Sequence, residues 1–196
     1  MTPRKILLIQ GHPDNAQRHL CHGLEGAYAD GARTAGHAVR RVDVATLDFP
    51  MLRSQQDWEL GPVPVALKPV QDEIIWSDHL VFFFPLWLGD MPALLKAFLE
   101  QIARPGFAFA RYPEHRFGRK ALTGRSARVV VTMGMPATLY RWYFRAHSIK
   151  SLERNILGFV GIGPIHETLV GMVERVDDDV LRKLCAQMHK LGVQAA

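Results

Sequence analysis

The sequence predicts an α/β fold: a five-stranded parallel sheet, doubly wound, with helices on both faces. Short β-rich apolar runs alternate with helix-period segments along the chain, which is the order that right-handed crossovers lay down as a parallel sheet. Several runs are apolar almost throughout, as strands buried on both faces are. The 196 residues, 48% of them hydrophobic, suffice for one domain with a substantial core over positions 1–196.

The first strand is Lys5–Gln10, "KILLIQ", closed by Gly11. A helix-period segment runs from Leu20 to Ala35 and stops at Gly36. Ala38–Val44, "AVRRVDV", alternates and reads as a strand nearer an edge. "TLDFPMLRSQQDWELGPVP" reads as a long polar, proline-marked loop, a kind of segment that is often functional. Ala66–Trp76 is helical, with Val70, Ile74 and Ile75 facing a sheet, and "HLVFFF" is the next buried strand. "PALLKAFLEQI" places Leu94, Leu95, Phe98, Leu99 and Ile102 on one face of a helix started by Pro92. A second long loop, "RPGFAFARYPEHRFGRKALTG", leads to the strand "ARVVVTM". Ser148–Leu157 reads as a helix, "IHETLV" as the last strand and Asp178–Leu191 as the closing helix, started by acids.

Cys21 and Cys185 lie far apart with no metal-ligand spacing, and read as reduced thiols of a cytoplasmic protein. The apolar stretch in "MTPRKILLIQGHPD" is too short for a secretory h-region and reaches Gly11 and Pro13 without a small-residue cleavage site, so no leader is expected, and no stretch approaches the roughly 20 apolar residues of a membrane span. The formal charge of +5 is scattered and no recognition motif accompanies it, so no nucleic-acid partner is expected. Anionic phosphate ligands are a better use of that excess.

In such folds ligands bind at the carboxyl ends of the strands, which three loops leave: "GHPDNAQRH", "PLWLGDM" and "TMGMPATLY". In the first, a helix N-terminus with His12, Asn15, Gln17, Arg18 and His19 suits a phosphate; an ordinary turn capped by Asp14 or Asn15 is the competing reading. In the second, Pro85, Leu86, Trp87 and Leu88 place bulky apolar groups at the ligand edge, where a flat ring has room to pack. A satellite cluster or a subunit contact would use the same residues. In the third, Tyr140 and His147 offer hydrogen bonds to charge developing on a bound ring, although singly each also reads as a structural residue. "GFVGIGP" reads as a helix stop and strand entry, and Asp177–Asp179 as helix-start charges rather than metal ligands.

These loops, in order, resemble the flavodoxin-like NAD(P)H:quinone oxidoreductase family, of the DT-diaphorase and modulator-of-drug-activity type. The most specific piece is "FFFPLWLGDMPALLKAFLEQIARPGFAF"; "GHPD" before a helix and "TMGMPATLYRWYFRAH" match two further sites, and the likeness runs from Ile6 to about Leu191.

The resemblance implies a dimeric flavodoxin-like enzyme that moves two electrons from NADH or NADPH through a bound flavin to a quinone or similar flat acceptor. His12 and the helix after it would hold the flavin phosphate, with Arg18 adding charge where family members carry a Ser-Phe-Asn-like run. Pro85, Leu86, Trp87 and Leu88 would line the ring, and Thr132, Met133 and Gly134 would meet it from the neighbouring strand. Tyr140 and His147 would stabilise the reduced, anionic ring. Phe107 and Phe109 would wall the substrate pocket across a homodimer interface. Arg182, near the start of the last helix, is placed to meet an adenosine, which favours FAD over FMN. The same family includes regulatory flavoproteins of potassium-efflux transporters, and azo- and nitro-reductases share the mechanism.

Overall fold

The computed structural model describes residues 2–109 and 120–196; part of the second long loop, at 110–119, lies outside the described residues. The strands are β1 (Lys5–Gln10), β2 (Ala38–Asp43), β3 (His79–Pro85), β4 (Ser126–Thr132) and β5 (Ile165–Val170). They form one sheet, all pairs parallel, in the order β2-β1-β3-β4-β5. This is the flavodoxin-like order, in which the chain reverses direction across the sheet between β1 and β3.

Alternation along the central strands splits the core in two. Leu7, Ile9, Leu80, Phe82, Phe84, Val129 and Val131 face one side. There they meet Val70 and Ile74 of α3 (Lys68–Trp76) and Leu95, Phe98 and Ile102 of α4 (Ala93–Ile102). Ile6, Leu8, Val81, Phe83 and Val130 face the other, against Leu24 and Tyr28 of α1 (Leu20–Thr34) and Met188 of α8 (Asp178–Gln194). β3 is buried at every residue because helices cover both its faces, whereas β2, at the edge, buries only Val42. The two helices of the second face approach so closely that a Cβ on Gly192 would lie 2.1 Å from the Tyr28 carbonyl oxygen, so only glycine fits.

Three expectations need correction. The long loop after β2 contains a helix, α2 (Gln55–Leu60), because the Ser54 hydroxyl accepts the Asp57 N–H at 3.0 Å and caps it. The third strand-end loop contains α5 (Ala137–Trp142), which Pro136 starts. The helix expected over Ser148–Leu157 begins at His147 as α6 (His147–Ser151), widens into a π turn over Leu152–Leu157 and continues as α7 (Gly158–Val160). Gly161, at φ +104°, then ends it, as "GFVGIGP" implies.

Arg104, buried at the end of α4, donates to the carbonyls of Asp57 (2.6 Å) and Gly61 (2.9 Å) and so pins the loop that carries α2. Asp177 caps α8 by accepting the Val180 N–H at 2.8 Å, the structural role expected of that acidic run. Among the described residues no helix is long and apolar enough to cross a membrane.

Candidate functional site at the carboxyl ends of the central strands

Strand order sets the carboxyl ends of β1, β3 and β4 side by side, so three loops far apart in sequence converge. In the first, the Gly11 N–H donates to the Phe83 carbonyl at 2.7 Å and prolongs the sheet by one residue. A Cβ there would lie 2.8 Å from the Leu95 side chain, so glycine lets α4 begin against this loop. His12 is buried, and its N–H donates to Gln10 Oε1 at 3.1 Å. Gln10 Nε2 donates in turn to Glu25 Oε2 (2.9 Å), whose other oxygen accepts Arg41 Nε (2.6 Å). A line of bonds therefore runs from β2 to the loop.

Asp14 organises the rest of this loop. Its Oδ1 accepts the Ala16 N–H at 2.9 Å, and its Oδ2 accepts Gln17 Nε2 at 3.2 Å and meets His19 Nε2 at 2.8 Å. These bonds, the one to His19 foremost, hold its carboxyl at about 2. His12 and His19 stack, with ring centroids 3.8 Å apart and planes 16° apart; His22 lies 5.5 Å from His12. Burial first, then the neighbouring His19, push His12 below the usual imidazole value. The helix cap is His19, not Asp14 or Asn15, because Asp14 spends its carboxylate on the loop. Asn15, Gln17 and Arg18 are exposed and rim a cavity of about 470 Å³ that opens towards β2.

In the second loop, Leu86 N–H donates to the Thr132 carbonyl at 2.7 Å, the last bond between β3 and β4 before the chains part. Trp87 and Asp90 then bond reciprocally through their backbones, with Leu88 (φ +48°) and Gly89 (φ +82°) between them, the signs of φ found in a type I′ turn. Leucine rarely tolerates that region, and the turn leaves Leu88 fully exposed. Trp87 is 51% exposed, and its ring stands edge-on to His12 at 6.0 Å. Pro85 is buried in β3 and Leu86 packs against the core, so they support this edge rather than cover a ligand with their side chains.

Of the three strand-end residues of the third loop, only Gly134 is exposed: Met133 is core, and Thr132 Oγ1 turns inward to Cys21 Sγ at 3.0 Å. Tyr140 is fully buried and its hydroxyl makes no hydrogen bond. Burial raises it above the usual phenol value, although the nearby amide of Ile149 pulls the other way. His147 lies 6.4 Å from Tyr140, ring to ring, and its Nδ1 meets the Phe144 carbonyl at 3.1 Å. A Cβ on Gly89 would lie 3.8 Å from His147 Cε1, which places this histidine beside the Trp87 turn.

The structure thus brings together His12, His19, Trp87, Tyr140 and His147. Sequence reasoning missed Asp14 as the hub of the first loop, and it missed Asp90, whose Oδ1 accepts both the Met91 N–H (2.7 Å) and the Ser148 hydroxyl. Asp14 was legible two positions after His12; the pair of Asp90 and Ser148 spans two loops and left no sequence signal. Phe107 and Phe109 do not join the group. They come after α4, whose ten residues carry the chain about 15 Å back along the sheet. Phe107 packs on the core, and Phe109 meets Trp58 (5.6 Å) and Phe159 (5.4 Å) beside an apolar cavity of about 240 Å³. Arg182 is exposed and paired with Asp179. No cluster among the described residues is arranged to hold a metal ion.

Comparison with known proteins agrees with this architecture. A ribosyldihydronicotinamide dehydrogenase-like protein from Penicillium crustosum is 27% identical over 156 residues, covering 66% of this chain but only 57% of its own length. An FMN-dependent NADH:quinone oxidoreductase from Nitratidesulfovibrio vulgaris is 27% identical over 84% of this chain and 85% of its own. The solved structure of an NAD(P)H:quinone oxidoreductase from Methanothermobacter marburgensis superposes with a TM-score of 0.81 at 22% identity, over 100% of both chains. A family model described as a flavodoxin-like fold matches residues 4–191, and on that match the chain belongs to the flavodoxin-like fold family.

Proposed function

We propose that the chain is a flavin-dependent NAD(P)H:quinone oxidoreductase. The observation that carries this reading is the half-bare Trp87 ring, held at the strand edge by a strained turn. Structural residues seldom keep such an arrangement without a ligand to cover it. The residues fit a flavin. Trp87 and Leu88 offer an apolar face, Gly134 leaves room beside it, and the first two amides of α1, Leu20 and Cys21, offer donors to a phosphate next to His12.

A bound flavin supplies two-electron hydride chemistry between a nicotinamide and a flat acceptor that use one place in turn. The chain supplies position and charge. Tyr140 keeps its proton at neutral pH, as a phenol does, and burial moves its pKa further from neutrality, so Oη carries a donor. His147, beside Gly89, spends its Nδ1–H on the Phe144 carbonyl, so it adds a donor at Nε2 only when the ring is protonated.

FMN is the flavin of this reading. The name of the Nitratidesulfovibrio relative supports it, and Arg182, the residue that favoured FAD, is already paired with Asp179. The enzyme of this reading is a homodimer: Phe107 and Phe109 are too far along α4 for their own Trp87 edge, and the exposed Phe159 beside them suits a second copy.

An absorbance spectrum of purified protein, the mass of the released cofactor, and NAD(P)H-driven turnover of a quinone beside an azo dye test the reading. Protein that binds neither FMN nor FAD would overturn it, and turnover of the dye alone would move it to the azoreductases.

A further inference from the structure

We propose that His12, His19 and Asp14 form a proton-coupled clamp for a phosphate monoester dianion, in which His12 takes up a proton at Nδ1 as the phosphate arrives. The ligand's identity as a flavin phosphate rests on the function proposed above; the clamp rests on the loop itself.

His12 Nδ1 lies 3.1 Å from the Asp14 amide nitrogen and 3.0 Å from the Asp14 carbonyl oxygen. A neutral ring with its proton on Nε2 accepts the amide proton there. A protonated ring donates to the carbonyl instead and releases the Asp14 N–H. The neutral Nδ1–H tautomer also donates to the carbonyl but leaves Nε2 bare, so only the charged ring both frees the Asp14 N–H and carries a proton on Nε2.

Two features keep the free loop in the neutral state. The His12 ring is buried, and it stacks on His19 at 3.8 Å, where a proton on either ring repels one on the other. Asp14 fixes His19 through Nε2 at 2.8 Å, so the second ring of the stack cannot swing aside to relieve that repulsion. Asp14 is a positioning residue in this sense.

The other groups around His12 do not take over the role. His22 at 5.5 Å is cationic only when protonated, and its own neighbours are Asp43, Glu25 and Arg41. Glu25 reaches His12 only through Gln10 and is already paired with Arg41. From the β3–α4 side the ring meets the uncharged edge of Trp87. A dianion is the one addition that makes two protons on stacked imidazoles favourable.

Calorimetric titration of apoprotein at pH 7.5, in two phosphate-free buffers of different ionisation enthalpy, tests this with FMN and riboflavin. A phosphate monoester, whose second pKa is about 6, is already a dianion there, so any proton taken up goes to the protein. FMN should bind with net proton uptake and riboflavin with none. Between pH 7 and 9 FMN affinity should fall by up to about tenfold per unit while riboflavin affinity stays flat. His12→Asn should remove the uptake and His22→Asn should keep it. FMN binding without uptake, or uptake that survives His12→Asn, overturns the clamp; if His12→Asn does not fold, the difference between FMN and riboflavin decides alone. If neither flavin binds, the flavin reading fails separately, and inorganic phosphate titrated at pH 8.5 decides the clamp: uptake supports it, and binding without uptake or no binding overturns it.

Discussion

Trp87 and Asp90 exchange both backbone hydrogen bonds, at 2.8 and 3.0 Å, and the two residues they enclose are driven to positive φ. The bulky edge of the site is thus fixed by main chain, and its side chains are free to serve a ligand.

Trp87→Ala should therefore leave the turn, and the melting temperature of apoprotein, nearly unchanged, since half the ring is already in water. Flavin affinity should fall by about 1 kcal/mol, the worth of one aromatic stacking contact. Titration of apoprotein followed by fluorescence measures the loss; an unchanged affinity beside a lowered melting temperature would make Trp87 a core residue.

Tyr140→Phe should separate stability from chemistry. The buried hydroxyl has no well-formed hydrogen bond, with the Ile149 amide and Ser148 only nearby, so deleting it should change the stability of apoprotein by no more than about 1 kcal/mol in urea unfolding. Reduction of the bound flavin by NADH should slow by about tenfold, because a donor aimed at developing charge is lost. Stopped-flow absorbance gives the rate, and an undiminished rate would remove Tyr140 from the reaction.

Stability should decline in mild acid through His79. Burial first, then Arg4 and Arg128, lower this imidazole to about 3. The unfolded ring accepts a proton near pH 6.5 that the folded ring refuses, so its contribution is full above 6.5 and is lost as pH falls towards about 3. The slope is about 1.4 kcal/mol per pH unit for one such group, and the lowered pKa of His12 and His22 adds to it in the same direction. Urea unfolding at pH 7, 6 and 5 should show a shallower decline in His79→Gln; equal slopes would assign the effect elsewhere.

Phe159→Glu, at the exposed ring beside Phe109 rather than at the core-packed Phe107, should shift the protein towards monomer and depress quinone reduction together, because that side of the molecule lies about a helix length from its own Trp87 edge. Sedimentation over a range of concentrations beside turnover on the same samples reads the coupling. A fully active monomer would show that each chain completes its own site.

Local chemistry was legible in the sequence wherever neighbours along the chain decide the outcome. The five strands, the proline start of α4, the glycine stop at Gly161 and the acidic cap of α8 all come from residues within a few positions of one another. The Ser54 cap was equally local, in "SQQD", and was hidden only by the prolines and polar residues around it. Tertiary structure decided everything that depends on strand order. Pairing of β1 with β3 on the side opposite its sequence neighbour β2 brings His12 within 6.0 Å of Trp87, and pairing of β3 with β4 sets His147 beside Gly89. It also decided burial: Thr132 and Met133 looked like ligand contacts, yet α1 draws one inward and the core takes the other. A side chain's partners across a sheet are set by which strands exchange hydrogen bonds, and residues 75 positions apart carry no local pattern that records the exchange.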